Sequence, residues 1–542
     1  VAAPQPAAAE PNPFTNEAEV AAKTISADYM RERVASLASD QFEGRGPSTA
    51  GDIATRAYLI EQLKGLGFAP GDGDQWEQPF DLVGVRSEMP KQWEFKHGAH
   101  KLALKWWDQY IATTAVQAPR GAIDNAELVF VGYGIQAPEF GWDDFKGQDL
   151  HGKLLVMLNN DPDWDEQLFA GTTRLYYGRW TYKYEMAERL GAIGAIIIHT
   201  TPSAGYPFSV VQSSWTGEQF ELPTEKKTGM QLKGWVTEDA ARALTQLAGK
   251  DLDQLVTAAK QRDFQPVPLG ITTSSKFTAA LRNVRTANVF GKWQGSDPQL
   301  AQDYVIYTAH HDHLGIGKPD AKGDKIYNGA LDNAAGVSQL LAIAKAFKAL
   351  PQAPRRSIMF LFVAAEEQGL LGSHYFVDHP TVPHGHIAAN INYDGGNIWG
   401  RTHDVTYIGK GKSSLDATVD AIAKRQQRTV LPDQFPDRGH LYRSDQLNFI
   451  KAGVPALYVD TGMDFIGRPA GWGKQQTEDY EAHHYHQPSD ELRPEWNLEG
   501  MVEDAQLGFW TGYIVANAKE LPSWVQGDEF EAARKAAIQA LH

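Results

Sequence analysis

The chain has 542 residues, 42% hydrophobic and 22% charged, with 15 Trp, 20 Tyr, no Cys and a formal net charge of −16. That length predicts two or three domains rather than one core, and the acidic balance excludes non-specific nucleic-acid binding, which needs Lys and Arg to displace phosphate counterions. The absence of cysteine excludes disulfides, thiolate metal ligands, a cysteine nucleophile and a lipid anchor through cysteine.

The opening "VAAPQPAAAEPNPF", rich in Ala and Pro and without Met, reads as the mature end left by signal-peptide removal. The expectation is a disordered leader over 1–25 and a bacterial protein that is periplasmic or secreted, with a trimmed chain as the plainer alternative. No apolar run approaches the length of a membrane span. "SADYMRERVASLAS" (26–39) predicts a helix capped by Ser26. "GRGPSTAGDIATRAYLIEQLKGLGF" predicts a Gly/Pro/Ser loop and then a helix. Strand-like runs come next, near 79–85 and 102–115.

From 126 to 268 the texture changes. "AELVFVGYGI", "GKLLVMLNN" and "GAIGAIIIHTT" read as strands, and "RWTYKYEMAERLG" and 237–248 as helices. This predicts a β-rich unit inserted between an N-terminal part (26–125) and the main part (269–542) of a larger domain. Beyond 271, strands "YVIYTA" (304–309), "SIMFLFVAA" (357–365), "HIAANINY" (386–393) and "VPALYV" (454–459) alternate with helices starting at Asn333, over 413–427 and over 495–518. Such alternation predicts an α/β fold, an open and mostly parallel mixed sheet with helices on both faces. Ligands of such sheets sit outside the carboxyl ends of the strands.

Polar residues gather at those ends. In His310-His311-Asp312-His313 an extended chain puts His310 and Asp312 on one face, and a metal-bound imidazole commonly gives its second N–H to a carboxylate. Asp332 stands at the threshold of an apolar helix, where an ordinary N-cap is the plainer role. Glu366 and Glu367 come directly after an apolar strand. Adjacent strand residues point to opposite sides, so the two should take different jobs, one on a metal and one towards a reacting water. Without a cation they would be forced to share a proton. Asp394 precedes two glycines, and His486 lies in a loop with Asp490 four residues on. Together these are two histidines and three carboxylates, with one carboxylate to spare. That is the N/O set of a two-metal hydrolytic centre, zinc being the first guess, with the ions ~3.5–4 Å apart and bridged by a carboxylate and a water. His-Glu-x-x-His and Gly-x-Ser-x-Gly do not occur. "TYIGKGKSS" departs from a phosphate loop at Thr406 and reads as a turn before a helix.

The ordered motifs "AHHDHLG", "GALDNAAG", "AAEEQGLLGS", "NYDGG" and "YHQPSDE" resemble the M28 family of co-catalytic zinc aminopeptidases. "FEGRGPSTAGDIATRAYLIEQLKGLGF" is similar to that family's N-terminal part, and 126–268 resembles a protease-associated domain. The resemblance implies two zinc ions per chain and removal of N-terminal residues from peptide substrates. It makes Asp332 the bridge, His310 and Asp394 the partners of one zinc, and Glu367 and His486 those of the other. It makes Glu366 the general base, Asp312 the orienter of His310, and Tyr485 the hydroxyl that polarises the carbonyl. The resemblance also matches Arg443 and Asp445, in "YRSDQ", to a segment that lines the family's substrate pocket. Three alternatives remain open. A carboxypeptidase on the same centre would need basic residues near the metals. A glutaminyl-cyclase-like acyl transferase would use one zinc. A non-catalytic binding protein on the same fold is the third.

Overall fold

The computed structural model describes residues 11–225 and 229–542. Two compact units emerge. One combines the chain up to Phe80 with Arg285–Gln434 and Ser444–His542; the other combines Asp81–Val284 with Phe435–Arg443.

The first unit is an α/β sandwich. Its strands are β1 (Ala69–Pro70), the last residues of β2 (Val267–Trp293), β3 (Tyr304–His310), β4 (Ser357–Val363), β5 (Ile387–Asn392), β6 (Asp404–Ile408), β7 (Thr429–Leu431) and β8 (Ala456–Asp460). They lie side by side in the order β1–β2–β4–β3–β5–β8–β6–β7. The steps β4–β3, β3–β5, β5–β8 and β6–β7 are parallel; β1–β2, β2–β4 and β8–β6 are antiparallel. The mixed, mostly parallel sheet expected from the alternating pattern is therefore present.

Both faces of this sheet are covered, which explains the unbroken apolar run "SIMFLFV". Ile358, Phe360 and Phe362 enter one core with α1 (Asn16–Ala22), α2 (Ala27–Leu37), α3 (Ala50–Leu66), α4 (Gly336–Lys348), α6 (Leu415–Arg425) and α8 (Glu499–Asn517). Met359, Leu361 and Val363 face the other way, with Phe376 of α5 (Leu371–Asp378) and Phe449 of α7 (Gln446–Lys451). Ser26 caps α2 through its hydroxyl, as expected.

The leader differs from expectation. Residues 1–10 lie outside the described residues, but 16–22 form α1, capped by the Thr15 hydroxyl. Ala18, Ala21 and Ala22 are buried in the core, and Thr15 Oγ1 lies 2.8 Å from the hydroxyl of Tyr513 on α8. These alanines form a small-residue face that lets the helix pack closely, so part of the Ala-rich start is structure rather than leader.

The second unit begins earlier and ends later than 126–268. Its parallel strands Leu154–Leu158 and Gly194–His199 fall where the sequence predicts strands, and a third parallel strand, Leu232–Thr237, is one the sequence reading did not pick out. Tyr110–Thr114 pairs antiparallel with Leu232–Thr237, and Gln92–His97 with the early part of β2. These long-range pairings draw 81–125 into the insert. The expected seam at Ala126 instead lies inside the strand Arg120–Phe130. Among the described residues, no helix is long and apolar enough to cross a membrane.

Candidate metal centre

Three parallel strands deliver the centre from their carboxyl ends. His310 is the last residue of β3, the two glutamates lie just beyond β4, and Asp394 just beyond β5. The pleat does not separate the glutamates, because β4 stops at Val363 and the chain then turns through Ala365 at φ 54°. Asp312 fixes this turn. Its carboxylate accepts from the Glu366 N–H at 3.0 Å and the Glu367 N–H at 3.2 Å, and lies 3.4 Å from His310 Nδ1. It therefore ties the end of β3 to both glutamates, while the hydrogen bond at His310 Nδ1, 3.1 Å, is to the Asp312 backbone carbonyl.

Asp332 precedes α4 without capping it. Asn333 Oδ1 accepts from Gly336 N at 3.1 Å and from Gly395 N at 2.7 Å, while its Nδ2 donates to the carbonyls of His310 and Tyr393. The turn between them contains a cis Asp332–Asn333 peptide. A Cβ on Gly336 would lie 2.2 Å from Asn333 Oδ1 and 2.7 Å from Tyr393 O, so only glycine lets the helix start this close. With Asn333 holding the helix end, the Asp332 side chain is available to the centre. Asp490 braces the same turn by accepting from Leu331 N at 2.9 Å and Asp332 N at 3.1 Å, and Tyr480 donates to it at 3.1 Å.

The two oxygens of Asp332 address different imidazoles. Oδ1 lies 3.2 Å from His310 Nε2, and Oδ2 lies 3.1 Å from His486 Nε2. His310 Nε2 also lies 3.2 Å from Asp394 Oδ1 and 3.6 Å from Glu366 Oε2, and His486 Nε2 lies 3.1 Å from Glu367 Oε2. His310, Asp332 and Glu367 can converge on one ion; His310, Glu366 and Asp394 form a second such group.

The protonation pattern tests whether cations fit. Burial opposes a charge on His310, yet Glu366 and Asp394 raise its pKa well above the imidazole range. Against burial, Glu367 and Asp332 lift His486 to about 10. Burial, opposed by His310 and reinforced by Asp394 and Glu367, pushes the Glu366 carboxyl well above its ordinary value. The carboxylates thus draw protons into the space where a metal's positive charge would serve them, and the donor set of imidazole and carboxylate suits zinc.

Several supporting residues were not legible as such. His313, buried, places Nδ1 2.9 Å from Glu367 Oε1. Ser444 donates to Asp394 Oδ2 at 2.6 Å, and Tyr458 donates to the Asp394 carbonyl at 3.3 Å. Arg45, 1% exposed, donates to the carbonyls of Leu37, His311, Asn328 and Gly329 at 2.6–3.0 Å. The period-two spacing of His311 and His313 is the one signal that could have drawn attention to His313. The others are brought in from distant segments. Tyr485, 40% exposed, stacks on His486 with ring centroids 3.9 Å apart. Asp445 is buried, accepts from Ser373 Oγ at 2.7 Å and is pushed by burial to about 7. Arg443 belongs to the second unit.

Residues 288–509 match the model of peptidase family M28. This segment is an M28 peptidase domain. It contains all five ordered motifs. The chain is similar to aminopeptidase YwaD of Bacillus subtilis (strain 168), 29% identical over 195 residues, which are 35% of this chain and 36% of that protein. It is also similar to a probable leucine aminopeptidase 2 of Aspergillus oryzae, 28% identical over 221 residues, 39% and 41% of the two chains. The chain thus matches well under half the length of these curated relatives. Over almost its whole length the fold resembles a solved aminopeptidase from Aneurinibacillus sp. strain AM-1, with a TM-score of 0.51, 17% identity, and 93% and 97% of the two chains covered.

Because Asp490 holds the turn that presents Asp332, Asp490→Ala is expected to weaken metal binding by about 10–100-fold. Competition with a chromogenic chelator reads this directly. Unchanged affinity would mean that the Leu331 and Asp332 amides keep their place without the carboxylate.

Proposed function

We propose that the protein is a di-zinc aminopeptidase, removing N-terminal residues from peptides. The observation that carries this reading is the Asp332 carboxylate, which turns one oxygen to each of two imidazoles with a glutamate beside each. The aminopeptidase names of the M28 relatives support the direction of trimming. His310 and Asp394 would hold one zinc, Glu367 and His486 the other, and Asp332 both. Bound zinc supplies a Lewis acid and lowers the pKa of water to about 7.

The chain's own residues do the rest. The Glu366 carboxylate takes a proton from the attacking water and returns it to the departing amine as the C–N bond breaks. The backbone bonds from Glu366 and Glu367 to Asp312 keep base and ligand from exchanging places. Tyr485, stacked on His486, stabilises the charge that grows on the carbonyl oxygen. Arg443 and Asp445 stay assigned to the substrate pocket, and 126–268 to a protease-associated domain whose parallel strands support that reading.

A mixed peptide library, incubated with zinc-loaded protein and read by mass spectrometry, tests this. Stepwise loss of N-terminal residues is expected, abolished by chelation and by N-acetylation of the peptides, with two zinc ions per chain by metal analysis. Trimming from the C-terminus would establish a carboxypeptidase. A single zinc with no cleavage would favour the acyl transferase.

A further inference from the structure

Within the first unit, the carboxylates Asp332, Asp394 and Glu367 each face an imidazole of the centre, but their second oxygens differ. Asp332 turns both oxygens to histidines, Oδ1 to His310 and Oδ2 to His486. Asp394 turns Oδ1 to His310, and its Oδ2 accepts from Ser444. Glu367 turns Oε2 to His486, while its Oε1 lies 2.9 Å from His313 Nδ1. His313 thus does for Glu367 what Ser444 does for Asp394.

The surroundings of His313 leave it little else to do. The side chain is buried, and its backbone N–H donates to the Arg45 carbonyl at 3.2 Å. A Cβ on Gly329 would lie 2.6 Å from His313 Cγ and 2.7 Å from its Cδ2, so backbone closes that side of the ring. The ring meets that of His486 nearly edge-on, with centroids 5.7 Å apart and planes at 73°. A carboxylate oxygen only accepts, so the hydrogen in the contact with Glu367 belongs to Nδ1. Nε2 is buried without a hydrogen-bond partner, and a hydrogen there would be an unpaired buried donor. The tautomer with its hydrogen on Nδ1 avoids that cost and ties down Glu367 Oε1.

We propose that His313 is a positioning residue that acts through Glu367. By holding Oε1, it leaves this ligand one oxygen, Oε2, for the zinc shared with His486. Bridging is then left to Asp332, which of the three has an imidazole at each oxygen. A glutamate turning both oxygens inward would fill the position that a catalytic zinc keeps open for substrate. This rests on the di-zinc reading of the centre.

The test uses His313→Leu and His313→Asn. Both side chains branch at Cγ and both remove the ring, but only asparagine puts an N–H where Nδ1 stands. Zinc affinity is read by chelator competition, and coordination by the visible spectrum of the cobalt-loaded protein. In the Leu variant, one of the two zinc ions is expected to bind about 10–100-fold more weakly. Its cobalt band should also weaken, as Glu367 turns in its second oxygen and the coordination number rises. In the Asn variant, both readouts should stay close to those of the unmodified protein. Equal impairment of the two variants would assign the effect to the lost ring and overturn the positioning role. If the Leu variant does not fold, the Asn variant decides, retained affinity upholding the role and a loss of about tenfold overturning it. Two zinc ions bound unaltered by both variants would overturn this role alone. Fewer than two on the unmodified protein would overturn the di-zinc reading with it.

Discussion

Glu366→Gln is expected to lower kcat by about 10²–10⁴-fold, the usual contribution of a positioned proton-transfer group, with both zinc ions retained. The side chains of Glu366 and Glu367 are 11% and 5% exposed, so Glu366 is the one open to an incoming water. Glutamine keeps the shape, and the backbone N–H still bonds to Asp312. What it loses is the capacity to accept a proton. Glu367 remains beside His486 and should hold metal unaided. Steady-state kinetics and metal content measured on one preparation separate the roles. Retained turnover would remove Glu366 as base, and loss of a zinc would make it a ligand instead.

The second large effect is on stability. Arg45→Met is expected to cost about 3–5 kcal/mol, as when one partner of a buried charge network is removed. Its guanidinium binds four carbonyl oxygens, those of Leu37, of His311 just after β3, and of Asn328 and Gly329 in the segment leading to Asp332. Its charge also faces Asp312, Asp490, Asp332 and Glu367. Methionine fills the space but leaves those oxygens unsatisfied and the acidic centre without its resident cation. Arg45→Lys should recover only part, because a compact ammonium cannot reach in four directions. The urea midpoint of the metal-loaded protein reads the loss, and a shift equivalent to less than about 1 kcal/mol would show that water replaces the guanidinium.

Much of the fold was legible because it depends on local periodicity. The run "SIMFLFV" carries apolar residues at almost every position, so it had to be a strand buried on both faces, and Ile358–Val363 divide between two cores accordingly. The candidate metal centre was legible because ligand chemistry restricts residue types, and His310, Glu366, Glu367 and Asp394 all stand at or just beyond the ends of such strands. Ser26 at the start of α2 was readable for the same local reason.

Other features have no local signature. Nothing in "FEGRG" distinguishes Arg45 from a loop arginine, since all but one of its carbonyl partners lie more than 260 positions away. Asn333 rather than Asp332 holds the end of α4, a choice made by the positions of Gly395 and Tyr393. The insert widened to Asp81–Val284 because Tyr110–Thr114 found its partner at Leu232–Thr237, and strand pairing is specified by register and burial across the chain.

The sequence by itself therefore determined the layered α/β class and singled out the histidines and carboxylates that gather in the candidate metal centre, because periodicity and donor chemistry are properties of single segments. Only the tertiary structure decided which oxygen of Asp332 meets which imidazole, how Asp312 braces the two glutamates and where the buried guanidinium of Arg45 lies. Those depend on backbone atoms brought together from distant parts of the chain.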